Sequence, residues 1–405
     1  MNQDKTESNN ESDKPKSRLW FIVIIVLAIA VIISGTTYLW LRPHDQTKEA
    51  ETQSGQPVSI PKEIMNNQFG WLGGGPEDTG DGIVEKDGKW VRPHPGAFVW
   101  DMMQKAKDGA IDFTLTDQEV NNYQKNDLGI LATVWPFADW DQKNLASAAD
   151  CKVPDTDEFL LKNDKKGRGS YLPEYRCNPS DWTTYQKFVE AVVERYDGDG
   201  VDDMPGLEIP IKYWEVMNEP DLQYGNNLPA SESNRLNFYM QGPAEYATLL
   251  VETSKAVRSA DPEAKILIAG AAGADERMLG FYRVVLKNSE TLTAFDIGNV
   301  HCISNDERTS DFNVGAYKTM LLSEFNISKP IWVTEAEAMY STVAEENFLS
   351  TKKSVAGAIA AGAQKIFFTR DDFGDTRIDM SKINSKSSYP SSEKYREIIN
   401  SYSPQ

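Results

Sequence analysis

Lys212-Tyr213-Trp214-Glu215-Val216-Met217-Asn218, followed by Glu219-Pro220, is the stretch on which the fold turns. An apolar and aromatic run stopped by proline reads as a buried strand, and it hands Asn218 and Glu219 to the loop beyond. Residues 243–260 come next with Leu249, Val251 and Val257 at helical spacing, and then a second apolar run at 265–269. The same alternation extends in both directions. Eight strands are expected, at residues 69–72, 90–93, 128–135, 212–218, 265–269, 295–302, 330–335 and 365–369, with amphipathic helices such as 181–196 and 345–362 between them. Alternating βα units make a parallel sheet of the α/β class. An open doubly wound sheet alternates too, but eight units with polar residues bunched after the strands favour closure into a (β/α)8 TIM barrel over residues 59–405.

The chain of 405 residues carries 42 Lys plus Arg against 61 Asp plus Glu, a net charge of −19, which argues against a nucleic-acid partner. Its 40% hydrophobic and 10% aromatic content suits a globular core. Three histidines (His44, His94, His301) and three cysteines (Cys151, Cys177, Cys302) are too scattered for zinc-finger or HExxH chemistry, and no GxxxxGK[ST] phosphate loop is present. No organic cofactor is expected.

Ahead of the barrel, residues 19–41 (LWFIVIIVLAIAVIISGTTYLWL) hold no charged side chain and are long enough for one transmembrane helix. Lys14, Lys16 and Arg18 precede this run and Arg42 follows it, so the positive-inside bias puts the N-terminus in the cytoplasm and the body outside. The run exceeds a signal-peptide h-region and no A-x-A site follows, which favours a retained signal-anchor over a cleaved one. Residues 1–18 then read as a disordered cytoplasmic tail and 42–58 as a flexible tether, giving a single-pass protein whose other partner is the lipid bilayer.

In such a barrel, chemistry belongs at the carboxyl ends of the strands. Those ends carry Arg92 and His94, Trp135, Asn218 and Glu219, His301, Glu335 and Glu337, and Arg370. A carboxylate after the fourth strand and another after the seventh can face one ligand from opposite sides. Acetal hydrolysis needs that arrangement: one acid protonates the leaving oxygen while the other carboxylate attacks the sugar carbon.

Trp214-Glu215-Val216-Met217-Asn218-Glu219-Pro220 together with Trp332-Val333-Thr334-Glu335 resembles the clan A glycoside hydrolases, retaining enzymes on TIM barrels. The likeness spans most of residues 65–400, including Trp90-Val91-Arg92, the run 129–136 (GILATVWP) and Val300-His301. It implies Glu219 as general acid/base, Glu335 as nucleophile, Asn218 at the sugar 2-hydroxyl, Arg92 in support beneath the site and His301 lining the subsite. The substrate it implies is a β-linked oligosaccharide or polysaccharide. Trp135 and His94 join the substrate-binding set from their places after strands, His94 weighed evenly against a loop residue satisfied by backbone. Two departures stand out. Phe367-Phe368-Thr369-Arg370 replaces the stacking Trp that ends the eighth strand of many relatives, and Glu337 shares the parity of Glu335 and competes as nucleophile. Glu219 should be raised by burial and by the charge of Glu335, which Arg92 should keep ionised at roughly 5–5.5 Å for a retaining mechanism.

The plainer readings stand beside these. Glu215 lies about 13 Å deeper along the strand and suits a buried ion pair. Trp71, Trp100 and Trp140 are packing residues, and Cys302 is a buried inert thiol. Cys151 and Cys177 read as a bridge in an oxidising compartment, against two unpaired thiols. Asp197, Asp199, Asp202 and Asp203 in DGDGVDD form either a calcium loop or a solvated acidic turn. Two further functions remain in view: a surface scaffold that binds carbohydrate without turnover, and a transglycosylase acting on envelope glycans.

Overall fold

Strands covered on both faces read as near-continuous apolar runs, and eight of them form: β1 (Phe69–Gly73), β2 (Trp90–Pro93), β3 (Gly129–Val134), β4 (Tyr213–Val216), β5 (Lys265–Ile268), β6 (Gly298–Cys302), β7 (Ile331–Ala336) and β8 (Ala363–Phe368). The computed structural model describes residues 56–153, 172–222, 237–303, 310–374 and 389–402, all within the unit Gln53–Gln405. The strands pair in the order β5-β4-β3-β2-β1-β8-β7-β6, parallel at every ladder. Isolated parallel bridges Leu267↔Ile297 and Ala271↔Val300 link β5 and its loop to β6, and the His301 amide donates to Ala271 O at 2.8 Å, so the sheet forms a nearly closed barrel.

A helix of ten residues or more follows each strand from β2 onward: α1 (Thr114–Gln124), α2 (Trp182–Tyr196), α3 (Pro243–Ala260), α4 (Glu276–Val285), α5 (Val314–Phe325), α6 (Ala344–Ala361) and α7 (Ser391–Asn400). After β1 the turn-rich sequence supports a single turn, Asp81–Val84. Local chemistry sets the boundaries. Asp181 caps α2 by accepting from Thr184 N at 3.1 Å, and Tyr185, Phe188, Val189, Val192, Val193 and Tyr196 bury one face against the sheet. Each such fully buried side chain stabilises the fold by roughly 1.5–3 kcal/mol. Pro243 opens α3, where Glu245 accepts from Gly242 N at 3.1 Å, and α6 stops at Gly362 with φ 107°.

Period-two alternation sorts the barrel interior into layers. Trp90, Leu131, Tyr213, Leu267, Ile297, Trp332 and Phe367 form an apolar floor, plugged from below by Ile64. Gly70 makes room for it, since a Cβ there would stand 2.7 Å from the Phe367 ring. Two residues on along β2, β3, β4 and β7, and from Ile297 into β6, come Arg92, Thr133, Glu215, Thr334 and Asn299, all buried. This polar layer is the base of the mouth.

The strand boundaries shift where the backbone departs from the ladder. β4 stops at Val216, two residues early, because Met217 and then Glu219 take left-handed φ of 70° and 39°. β6 starts at Gly298, because the amides of Asp296 and Ile297 both bond to Ile266 O instead of pairing with β7. Val58, the last residue of the expected tether, donates its amide to Gly198 O at 2.8 Å and packs against the core. The expected membrane span at 19–41, with the tail and most of the tether, lies outside the described residues; among those described, no helix is long and apolar enough to cross a membrane. Cys151 and Cys177 are bridged.

Candidate active site

Arg92 stands at the centre of the polar layer with no solvent exposure. Its Nε donates to Glu215 Oε2 at 2.7 Å, Nη1 to Glu335 Oε1 at 2.8 Å and Nη2 to Asn218 Oδ1 at 2.6 Å. One planar guanidinium therefore ties β2 to β4 and β7 and fixes three side chains at once. The buried ion pair expected for Glu215 is present, and Thr133 Oγ1 and Asn299 Nδ2 donate to its oxygens at 2.6 and 2.7 Å. A single guanidinium separates Glu215 from Glu335, and just beyond β4 Met217 and Glu219 take left-handed φ. Non-glycine residues held at such φ cost about 1–3 kcal/mol each, and the Arg92 bonds help hold them.

Glu219 and Glu335 meet above this layer. One carboxylate oxygen of each lies within 4.8 Å of the other and of a His301 ring nitrogen. His301 Nδ1 is 2.7 Å from Glu219 Oε1 and 3.7 Å from Glu335 Oε1, while Nε2 is 2.8 Å from Thr334 Oγ1. His301 thus holds Glu219 and is itself clamped from β7. Gly270 is needed for that pose, since a Cβ there would fall 2.0 Å from His301 Nε2. Three ligand atoms at this spacing could hold a metal, but the Arg92 cation bonded to Glu335 opposes a second cation there.

The electrostatics follow burial. Burial pushes Glu219 up to about 7, with Arg92 opposing and Glu215 adding to the rise. The expected repulsion between the two carboxylates is present as well: Glu335 is raised by burial and by the charge of Glu219, while His301 and Arg92 oppose the rise. Burial lowers His301 to about 4, so its imidazole is neutral at pH 7. Burial, then Arg92 and His301, hold His94 well below the usual imidazole range.

Some expected residues sit elsewhere. Trp135 has no exposed surface: its Nε1 donates to Pro95 O at 2.7 Å and its ring is covered by His94 and Phe238, each about 6 Å away, so the open stacking face expected after β3 is a correction. His94 Nδ1 lies 3.4 Å from Arg92 Nη1, which places it beside the site. Glu337 does not join the Glu219–Glu335 pair. Thr369 Oγ1 and Arg370 Nε hold its Oε2 at 3.1 and 3.2 Å. The extra residue of β7 lies before both of them: Val300 pairs with Val333 but His301 with Glu335, so Thr334 and Glu335 both reach the interior, while Glu337, two residues on, is taken up by the end of β8. At β8, Phe367 belongs to the floor and Phe368 packs on Trp71, which leaves a polar Thr369–Arg370 end where an aromatic face was sought. Trp71, Trp100 and Trp140 pack, each with its indole N–H bonded.

Thr334, Asn299 and Thr133 are site residues that sequence reading missed. Their signal was a polar side chain inside an otherwise apolar strand. Away from the mouth, Asp197, Asp199 and Asp203 each bring one oxygen within 4.8 Å of the others, while Asp202 stays outside the group. Backbone amides already occupy these carboxylates: Gly198 and Gly200 donate to Asp203, Val201 to Asp199 and Asp199 to Asp197.

No family model and no curated protein matches the chain. Among solved structures, a glucosidase from Croceicoccus marinus matches at TM-score 0.56 and 14% identity, over 87% of this chain and 70% of that one. A family 39 glycoside hydrolase from Bacteroides cellulosilyticus WH2 matches at TM-score 0.50 and 14% identity, over 78% of this chain and 61% of that one. The chain therefore spans less than two thirds of the second protein. Likeness at such identity is a likeness of fold.

Proposed function

We propose that the chain is a retaining glycoside hydrolase that cleaves β-linked O-glycosidic bonds of an oligosaccharide or polysaccharide, with Glu219 as general acid/base and Glu335 as nucleophile. One observation carries the reading: two buried carboxyl groups within 4.8 Å across the mouth of a barrel, one raised to about 7 and the other bonded to a buried arginine. The spacing favours retention, because an inverting pair stands about 6.5–9.5 Å apart to admit water. Glu219 gives its proton to the leaving oxygen as Glu335 bonds to the anomeric carbon. Water, deprotonated by the Glu219 carboxylate, then releases the sugar and regenerates Glu335. Among the described residues Asn218 Nδ2 is buried without a partner while Arg92 fixes its Oδ1, which suits a donor waiting for a sugar hydroxyl. The glycosidase names of the two matching structures agree with this reading. Residues 19–41 would tether the enzyme to the membrane with the barrel outside the cytoplasm.

The test is a panel of aryl β-glycosides and of glucan, mannan, xylan and galactan. Turnover should vanish in Glu335→Gln with binding kept, NMR should find the first-formed sugar with retained configuration, and kcat/KM should fall as pH rises through about 7. Inversion, or full activity in Glu335→Gln, refutes the mechanism. Binding without turnover would mark a scaffold, and transfer products at high acceptor concentration a transglycosylase.

A further inference from the structure

A directional chain of hydrogen bonds runs from Arg92 to Glu219, and its direction can be read link by link. Glu215, paired through Oε2 with Arg92, can only accept. The Asn299 amide must therefore turn its Nδ2 toward Glu215 Oε1, 2.7 Å away, which leaves Oδ1 facing Thr334 Oγ1 at 2.8 Å. A carbonyl oxygen accepts, so the single hydroxyl proton of Thr334 points at Asn299, with Glu215 Oε1 a longer acceptor at 3.5 Å. Thr334 Oγ1 then presents a lone pair to His301 Nε2 at 2.8 Å, and that nitrogen must carry hydrogen. A neutral imidazole protonated at Nε2 is bare at Nδ1. The 2.7 Å contact from Nδ1 to Glu219 Oε1 then closes only if Glu219 supplies the proton.

We propose that Asn299 and Thr334 are positioning residues that lock His301 in its Nε2–H tautomer, so that its bare Nδ1 accepts from Glu219 and keeps that carboxyl group protonated. The assignment of the tautomer stands on the hydrogen-bond geometry alone; its effect on turnover rests on the glycosidase reading above. An ionised Glu219 would oppose its lone pairs to those of Nδ1 at 2.7 Å, which disfavours the carboxylate in the free enzyme. The charged and titratable groups around the pair are Arg92 from β2, His94 beyond it, Glu215 and Asp221 from β4 and its loop, Tyr282 from α4 and Glu335 from β7. None of them donates a hydrogen bond to His301 Nδ1 or to Glu219 Oε1 among the described residues, so the lock is made by Thr334 and Asn299.

The decisive measurement is the ¹⁵N spectrum of the histidine-labelled 405-residue chain, where only three histidines contribute and His94→Gln and His44→Gln variants assign the rest. At pH 7, His301 should be protonated at Nε2 and bare at Nδ1. Thr334→Val removes the acceptor for Nε2–H and should admit the Nδ1–H form, while Thr334→Ser should restore the wild-type pattern. Asn299→Ala removes the short acceptor of the Thr334 hydroxyl and leaves it only Glu215 Oε1 at 3.5 Å, which weakens the lock by a second route. A wild-type His301 protonated at Nδ1, or an unchanged tautomer in both Thr334→Val and Asn299→Ala, overturns the proposal. With an aryl glycoside that the chain hydrolyses, Thr334→Val should move the basic limb of kcat/KM to lower pH by about one unit, because Nδ1–H would stabilise the Glu219 carboxylate. A drop in rate with the limb unmoved would reduce Thr334 to packing. If no glycoside is turned over while the tautomer behaves as stated, the enzymatic reading fails and the lock stands.

Discussion

Replacing Arg92 by methionine should be among the most damaging single changes in the barrel, and the structure says by how much. The change deletes three bonds of 2.7, 2.8 and 2.6 Å and leaves Glu215, itself unexposed, as a buried charge without its cation. Breaking one partner of a buried pair costs about 3–5 kcal/mol, because the surviving charge is stranded in a low dielectric. Glu215→Leu should cost a similar amount by stranding Arg92. If the two residues acted independently, the double variant Arg92→Met/Glu215→Leu would lose about 6–10 kcal/mol. It should lose only about 3–5 kcal/mol, since both charges go together and the remaining damage is the unpaired hydroxyl of Thr133, the amide of Asn299 and a Glu335 without support. Urea unfolding of the wild type, both single variants and the double gives the coupling energy directly, expected at about 3 kcal/mol or more. Activity should not return in the double variant, because Glu335 has lost the cation that favours its ionised form. A coupling energy below about 1 kcal/mol would refute the argument that this pair is a desolvated unit.

Two further expectations concern stability. Glu119 lies on the buried face of α1, and burial pushes its carboxyl up to about 8 from an ordinary 4.5, with the nearby Ala97 amide opposing and Asp78 adding. The folded state then holds a proton that the unfolded chain has released, so its contribution is full below about 4.5 and is lost as pH rises through about 8, at up to about 1.4 kcal/mol per pH unit. Glu119→Gln should flatten that slope in urea titrations across the window, and identical pH dependence in the two proteins would discard it. The Cys151–Cys177 bridge closes a separation of 26 residues, worth about 3.5 kcal/mol of unfolded-state entropy. Reduction should therefore lower the melting temperature and add two hydrogens to the intact mass; an unshifted melting temperature would show that the bridge does not matter.

Much of the barrel could be read from the chain, because burial on both faces leaves only apolar runs at strands and amphipathic runs at helices. That is why β2 (Trp90–Pro93) and α3 (Pro243–Ala260) coincide with their sequence readings. Strand ends also placed Arg92, Asn218, Glu219, His301 and Glu335 at one mouth, since a parallel barrel points every carboxyl end the same way. Their meeting depended on less regular features. The extra residue of β7 sends Thr334 and Glu335 inward together, and no period-two count anticipates a bulge. Left-handed φ at Met217 and Glu219 shapes the turn that carries the acid, an energetic choice that local sequence disfavours and the Arg92 contacts help hold.

The polar layer marks the same boundary. Asn299, Thr133 and Thr334 are unremarkable as letters in three separate strands, and each becomes meaningful only when Glu215 supplies the charge that orders them. Trp135 shows the reverse, an aromatic at a strand end that looked available and is sealed by Phe238. By itself the sequence determined the periodicities, hence the strands, the helices and which residues stand at the barrel mouth. The tertiary structure decided which of those residues touch and who donates to whom, because hydrogen bonds and buried charges depend on distances of a few ångströms between segments far apart in the chain.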